Sequence, residues 1–124
     1  MNIIDSSLWL EYFAGTLEND TVLNMIEDPA SQYVPSICVY EVFKKILIQK
    51  DEAAARLSVS FMQKAVVVSV TSQIAILAAK LSKELGLPMA DSIIYATAKR
   101  KNATIYTKGK HFETLDGVHY FAKP

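Results

Sequence analysis

Residues Leu87 to Thr107 read LPMADSIIYATAKRKNATIYT. The pattern predicts a loop, an apolar helix that begins near Asp91, a basic turn and the strand ATIYT. Asp91 raises a question, because a charged carboxylate starts a helix whose following residues are directed towards a core. Either the side chain caps the helix, or it faces a cleft and holds a metal ion.

Strands and helices alternate along nearly the whole chain, and this alternation predicts the fold class. An apolar run, NII, precedes Asp5, and a β-branched run, VVVSV, reads as a buried parallel strand. The other predicted strands are QYVP and VHYF, and the other predicted helices are SSLWLEYFAG, DTVLNMIED, ICVYEVFKKILIQK, DEAAARLSVSFMQK and TSQIAILAAKLSKELG. We therefore predict an α/β fold with a parallel sheet between helices, and a ligand site beyond the carboxyl ends of its strands.

Composition limits the classes of protein to consider. The 124 residues fit one domain spanning residues 1–124, and 51% hydrophobic with 21% charged residues is typical of a folded chain. With 13 basic and 13 acidic residues, the chain does not coat nucleic acid by bulk charge, although a local patch stays open. The chain has a single cysteine, Cys38, no secretory signal in MNIID and no apolar run long enough to span a bilayer. These features predict a soluble cytoplasmic protein.

Three acidic residues are candidates for a site, and each has a plainer alternative. Asp5 follows the first strand, and like Asp91 it could act as an N-cap. Glu41 lies opposite the apolar face predicted for its helix, which favours a solvated position. That apolar face is formed by Val39, Tyr40, Val42, Phe43, Ile46 and Leu47. Ile37 and Ile48 lie on the same side as Glu41, however, so that side could also be partly covered.

The combination of these three acids is more informative than any one of them. Carboxylates ~5 Å apart repel by ~3 kcal/mol per pair at an effective dielectric constant of ~20. Such a cluster requires a cation or a raised pKa, and oxygen ligands favour Mg²⁺ or Mn²⁺. A bound ion of this kind could activate water and neutralise charge on a phosphodiester.

Other kinds of site lack their motifs. There is no Cys/His cluster for zinc, no glycine-rich phosphate loop and no nucleophile elbow. A response regulator needs an acidic pair after its first strand, whereas Asp5 is followed by serines. A haloacid dehalogenase needs Asp-x-Asp, and Ser7 stands at the second acidic position.

Three segments resemble the PIN-domain ribonucleases, specifically the VapC-type toxins of VapBC toxin–antitoxin pairs. IIDSSLWLEYF is similar to the first strand and helix of the family, and PSICVYEVFKKI places Glu41 at the helix carboxylate of the family. GLPMADSIIYATAKRKNATIYT is very close to the segment L-P-x-A-D-x-x-I-A-x-T-A and the strand that follows it. The similarity covers essentially the whole chain.

The resemblance implies a parallel five-stranded sheet and a Mg²⁺- or Mn²⁺-dependent endoribonuclease. It also implies a small VapB-like antitoxin as a partner, and a homodimer. The metal-binding carboxylates carried over from the family are Asp5, Glu41 and Asp91, with Ser7 and Thr107 as supporting residues.

The segment after Thr107 departs from the family pattern. The family has acidic residues there, whereas this chain has Gly109 and His111 in the sequence TKGKHF. Three carboxylates could suffice for one metal ion, His111 could take part, or activity could be weak or lost, which leaves a binding module as the alternative function. We also expect Lys108 and Lys110, at the carboxyl edge of the sheet, to contact RNA phosphates.

Overall fold

The computed structural model describes residues 1–122 and contains the predicted parallel sheet. Its strands run in the order β3-β2-β1-β4-β5, and every neighbouring pair is parallel. The strands are β1 (Asn2–Ile4), β2 (Gln32–Pro35), β3 (Val66–Val68), β4 (Thr104–Thr107) and β5 (Val118–Tyr120). The prediction of a five-stranded parallel sheet is confirmed.

Six α-helices flank the sheet on both faces. They are α1 (Ser6–Ala14), α2 (Asp20–Ile26), α3 (Ser36–Gln49), α4 (Glu52–Met62), α5 (Ser72–Leu85) and α6 (Met89–Lys101). Short 3₁₀ turns cover Pro29–Ser31 and Lys110–Phe112. Helices α5 and α6 pack against each other, as do α3 and α4, and α1 packs on α3. Within residues 1–122, none of the helices has the length and apolar character needed to cross a membrane.

The strand order explains where a site can form. β1 is central, and its two neighbours, β2 and β4, are reached by connections that run to opposite sides of it. The carboxyl ends of β1 and β4 therefore border the crevice at which ligands bind in sheets of this kind. Asp5 directly follows β1, and Thr107 is the last residue of β4.

Helix ends follow local chemistry. Gly15 and Gly86 end α1 and α5 with φ of 75° and 71°, a left-handed conformation that glycine adopts without steric cost. Asp51 and Thr71 accept backbone N–H hydrogen bonds as N-caps of α4 and α5. Pro35 occupies the N-cap position of α3, and Ser36 is the first residue of that helix.

Two features of the sheet and α5 differ from expectation. VVVSV was expected to be a buried strand, but β3 lies at an edge of the sheet and Val66 is 59% exposed. β-Branched composition reports the preference for an extended backbone but not the position of a strand in the sheet. On α5, apolar residues at i, i+3 and i+4 spacing predict one buried face; Ile74 and Ala78 are buried, whereas Leu85 in the last turn is 41% exposed.

Candidate functional site

The candidate site lies at the carboxyl edge of β1, where Asp5 is almost completely buried. Asp5 occupies the N-cap position of α1, but its side chain makes no capping hydrogen bond. Its Oδ2 atom instead accepts hydrogen bonds from Thr107 Oγ1 at 2.7 Å and Ser7 Oγ at 2.9 Å. The capping explanation therefore does not account for this carboxylate.

The two hydroxyl groups that contact Asp5 are themselves oriented by backbone donors. Gly109 N donates to Thr107 Oγ1 at 2.8 Å, and Lys108 N lies 3.4 Å from Ser7 Oγ. A hydroxyl group has a single proton, so a hydroxyl that accepts from a backbone N–H is left to donate elsewhere. The loop after β4 thus directs both protons towards Asp5 Oδ2.

Glu41 faces this carboxylate from α3. Its Oε1 atom accepts a hydrogen bond of 2.9 Å from Ser6 Oγ, which also lies 3.4 Å from Asp5 Oδ1. Ser6 has one proton for two carboxylates, and the shorter distance assigns that proton to Glu41. Of the two positions left open for Glu41, the structure has the partly covered one, since the side chain is half-buried and turned towards Ser6.

The face of α3 explains the difference. Tyr40 and Leu47 were placed on the apolar face, but they are 58% and 42% exposed, whereas Cys38, Val42 and Ile46 are buried. Because Cys38 lies three residues before Glu41, both project from the same side of the helix.

Cys38 joins the site and was not singled out from the sequence. Its Sγ atom, one oxygen of Asp5 and one oxygen of Glu41 all lie within 4.8 Å of one another. Burial raises the pKa of the Cys38 thiol well above its usual value, and the charges of Asp5 and Glu41 raise it further. The thiol is therefore protonated near neutral pH. The i, i+3 spacing from Glu41 was the available sequence signal.

Asp91 approaches the same region from the first turn of α6. Pro88 is the N-cap of this helix, and Asp91 makes no side-chain capping hydrogen bond. Burial raises the pKa of Asp91, the charge of Asp5 raises it further, and His111 lowers it. Asp91 therefore lies within electrostatic range of both Asp5 and the exposed His111.

Electrostatics also connect Glu41 to both aspartates. Burial raises the pKa of Glu41, the hydrogen bond from Ser6 lowers it, and the charges of Asp5 and Asp91 raise it. The structure thus places Asp5 and Glu41 in one tight group with Cys38. Asp91 is outside that group but close enough for its charge to raise the pKa of Glu41. Such an arrangement favours a bound cation or a proton.

The remaining predicted residues lie at the rim. Lys108 forms an ion pair with Glu11 at 3.0 Å, and both side chains are mostly buried. Lys110 and His111 are exposed in the 3₁₀ turn after β4. Gly109 also borders the site, because a Cβ atom added there would lie 3.5 Å from Asp5 Oδ2.

The protein is an α/β protein with a parallel sheet and a group of carboxylates at the crevice beside its central strand. Carboxylate oxygens in such a crevice form a candidate site for a divalent metal ion. The PIN domain family model matches residues 3–118. The chain belongs to the PIN domain family, and the resemblance to PIN domains is confirmed. Among curated proteins, the sequence comparison finds no match.

Solved structures of similar fold have low sequence identity to this chain. A toxin–antitoxin complex from Klebsiella pneumoniae has a TM-score of 0.80 at 20% identity, with 99% of this chain and 100% of that chain covered. DNA-bound VapBC from Salmonella typhimurium has a TM-score of 0.77 at 16% identity, with 98% of each chain covered. FitAcB from Neisseria gonorrhoeae has a TM-score of 0.72 at 20% identity, with 98% of this chain and 97% of that chain covered.

Proposed function

We propose that this protein is a divalent-metal-dependent endoribonuclease and the VapC-type toxin of a toxin–antitoxin pair. The observation that carries the proposal is the approach of Asp5 and Glu41 at the sheet edge, with ligand oxygens within 4.8 Å and Asp91 beside them. Membership of the PIN domain family supports a nuclease activity. The cytoplasm, where cellular RNA is accessible, is the compartment that this function requires.

The donor atoms fit a hard divalent cation. Asp5, Glu41 and Asp91 offer carboxylate oxygens, which Mg²⁺ and Mn²⁺ prefer. The raised pKa values of Glu41 and Asp91 reflect burial and mutual repulsion, both of which a cation would offset. These three residues would hold the ion, which when bound supplies a Lewis acid and lowers the pKa of a coordinated water.

The other residues of the site orient these carboxylates. Ser7 and Thr107 direct their protons to Oδ2 of Asp5, which leaves Oδ1 turned towards Ser6 and Glu41. Ser6 fixes Glu41 through its hydrogen bond. His111 lies beside Asp91, where its positive form would stabilise that carboxylate.

A small antitoxin is the proposed protein partner, and the protein itself is proposed to be a homodimer. The solved structures of similar fold include a toxin–antitoxin complex from Klebsiella pneumoniae and DNA-bound VapBC from Salmonella typhimurium, which supports this assignment. An arginine from an inhibitor would bind the carboxylate cluster by bidentate hydrogen bonds. We expect co-purification with a small protein encoded next to the toxin and loss of nuclease activity in the complex. A fully active complex would contradict inhibition at this site.

Cleavage of total cellular RNA by the purified protein tests the activity. We expect cleavage that requires Mg²⁺ or Mn²⁺, stops with a chelator, and is lost in Asp5→Asn and Asp91→Asn. Glu84→Gln, an exposed acidic position on α5, serves as the matched control with unchanged activity. Undiminished cleavage in either aspartate variant would remove that residue from the site, and end-mapping of the products would identify the target sequence.

A PIN fold with weakened or lost catalysis, acting as a binding module, is the second candidate. The presence of Gly109 where the family pattern has an acid is the observation that favours it. The two candidates differ in one result. A binding module would bind RNA or the antitoxin with no cleavage in the presence of either metal ion.

A further inference from the structure

A shallow pocket opens on the outer side of α3, directly beside the candidate metal site. It has a volume of about 230 Å³ and is lined by Tyr40, Glu41, Lys44, Lys45 and Ile48. Glu41 is shared between this pocket and the carboxylate cluster, since its Oε1 atom also accepts from Ser6. A molecule bound in the pocket would therefore lie next to the proposed reaction centre.

The lining residues form one surface because of helix geometry. Positions 40, 44 and 48 follow each other at intervals of four, as do positions 41 and 45, so both rows lie on one side of α3. Tyr40 is 58% exposed. This residue thus offers an aromatic ring to solvent within one residue of a proposed metal ligand.

The pocket carries two lysines against one acid, Glu41, whose Oε1 atom is engaged by Ser6. Lys44 and Lys45 are exposed, and among the ion pairs of residues 1–122 neither has a partner. Lys44 Nζ lies 5.7 Å from the centroid of the Tyr40 ring. An exposed contact of this kind is weaker than base stacking, so a nucleobase can replace the ammonium group on the ring.

We propose that this pocket binds the single-stranded RNA that leads into the metal site, with one base stacked on Tyr40 and neighbouring phosphates bound by Lys44 and Lys45. The proposal rests on the ribonuclease function proposed above. Aromatic rings accept any base, and lysines follow the backbone, which is the combination used for single-stranded nucleic acid. An apolar protein segment fits less well, because it would cover both lysines and supply no acid of its own to pair with them.

Binding without cleavage is the direct test of the stacking contact. The probe is a fluorescein-labelled, ten-nucleotide, mixed-sequence single-stranded RNA, followed by fluorescence anisotropy in the presence of a chelator. We expect Tyr40→Leu to weaken binding by about 5- to 150-fold, the range found for loss of one stacked base. Tyr40→Phe retains the ring and is expected to bind within twofold of the wild-type protein.

The salt dependence of binding tests the lysines separately. Each phosphate contact in single-stranded nucleic acid contributes about 0.7 to the slope of log K against log salt. We expect Lys44→Gln and Lys45→Gln each to flatten the slope by about that amount. Lys80→Gln, an exposed lysine on α5, is the matched control for charge, and Leu57→Ala, 75% exposed on α4, is the control for loss of surface apolar area.

Several outcomes would overturn the inference. Wild-type affinity in Tyr40→Leu would exclude stacking on this ring, and unchanged slopes in both lysine variants would exclude phosphate binding there. If these results come with metal-dependent RNA cleavage, the pocket assignment fails and the proposed function stands. If the wild-type protein neither binds nor cleaves RNA, both fail. If the substitutions release a co-purifying protein while RNA binding is unchanged, the pocket is a protein-docking surface instead.

Discussion

Replacement of Glu41 by Gln isolates the charge of one carboxylate in the proposed metal site. The amide preserves the size of the side chain, and its oxygen can still accept the hydrogen bond from Ser6. We expect Glu41→Gln to be more stable than the wild-type protein at neutral pH without divalent cations, because its repulsion with Asp5 is removed.

The size of this effect follows from the separation of the charges. Ligand oxygens of Asp5 and Glu41 lie within 4.8 Å of each other. Two unit charges at that distance repel by about 0.9 kcal/mol in water and about 3.5 kcal/mol at an effective dielectric constant of about 20. Glu41 is only half-buried, so solvent screening reduces the expected gain to about 1–2 kcal/mol. For a chain of 124 residues this corresponds to a rise in Tm of about 4–8 °C.

The pH dependence gives the sign of the effect. Burial raises the pKa of Glu41 in the folded protein, so the folded state binds this proton more tightly than the unfolded state does. The folded protein benefits from the proton below the unfolded value of about 4.5 and loses that benefit as pH rises through the folded pKa. The advantage of Glu41→Gln should therefore be smallest in acid and grow towards neutral pH.

Thermal unfolding at several pH values, first with a chelator and then with Mn²⁺, measures both parts of the prediction. A divalent ion at a free concentration of 100 times its Kd stabilises the folded state by about 2.7 kcal/mol. The variant should gain less stability from the ion because it has lost one ligand charge. Glu84→Gln on the surface of α5 is the control. The reasoning would be refuted if the variant in the presence of chelator were less stable than the wild-type protein at neutral pH. It would also be refuted if Mn²⁺ stabilised both proteins equally.

The further predictions concern the loop after β4 and the number of metal ions bound. Thr107→Val removes the hydroxyl between Asp5 Oδ2 and Gly109 N, and should lower the free energy of unfolding in urea by about 1–3 kcal/mol; an unchanged midpoint would contradict this. Neutralising Lys108 and Lys110 together should weaken RNA binding and flatten its salt dependence, mostly through the exposed Lys110, and an unaltered slope would exclude this placement. Gly109→Asp should strengthen metal binding in calorimetric titration relative to Gly109→Ala. The natural protein should bind at most one ion tightly and cleave faster with Mn²⁺ than with Mg²⁺, and two tight sites would mean that another group supplies the missing ligand.

The sequence was sufficient for the order and type of the elements because those signals are local. Gly15 and Gly86 mark helix ends by their own conformational freedom, and β-branched runs mark strands. The position of β3 at an edge and the buried face of α3 depend on packing between distant segments. The helical wheel assigned Tyr40 to the core because it is apolar, and it left Glu41 outside because it is charged. The rule that charged residues face solvent fails on a helix that supplies a carboxylate to a partly buried site.

The strand order accounts for the convergence of acids that are far apart in sequence. Asp5 ends β1, Glu41 lies on the helix that follows β2, and Asp91 lies on the helix that precedes β4. Since β2 and β4 are the two neighbours of β1, all three acids come from the central strand or from elements attached to its neighbours. Asp91 therefore lies in the first turn of α6 at a place set by the sheet, while Pro88 holds the N-cap position.

The same geometry makes Gly109 part of the hydrogen-bonding arrangement. Gly109 has φ of −71°, which any residue adopts, so its backbone does not require glycine. Space is the constraint, because an added Cβ would lie 3.1 Å from Thr107 Oγ1 and 3.3 Å from Phe112 Cδ2. An acid at this position would add charge, but Thr107 Oγ1, which orients Asp5, would have to move by a few tenths of an ångström. The close approach of the loop at Gly109 therefore leaves room for three carboxylates but not for a fourth without movement. A substitution that introduces the fourth acid needs a compensating shift at Thr107.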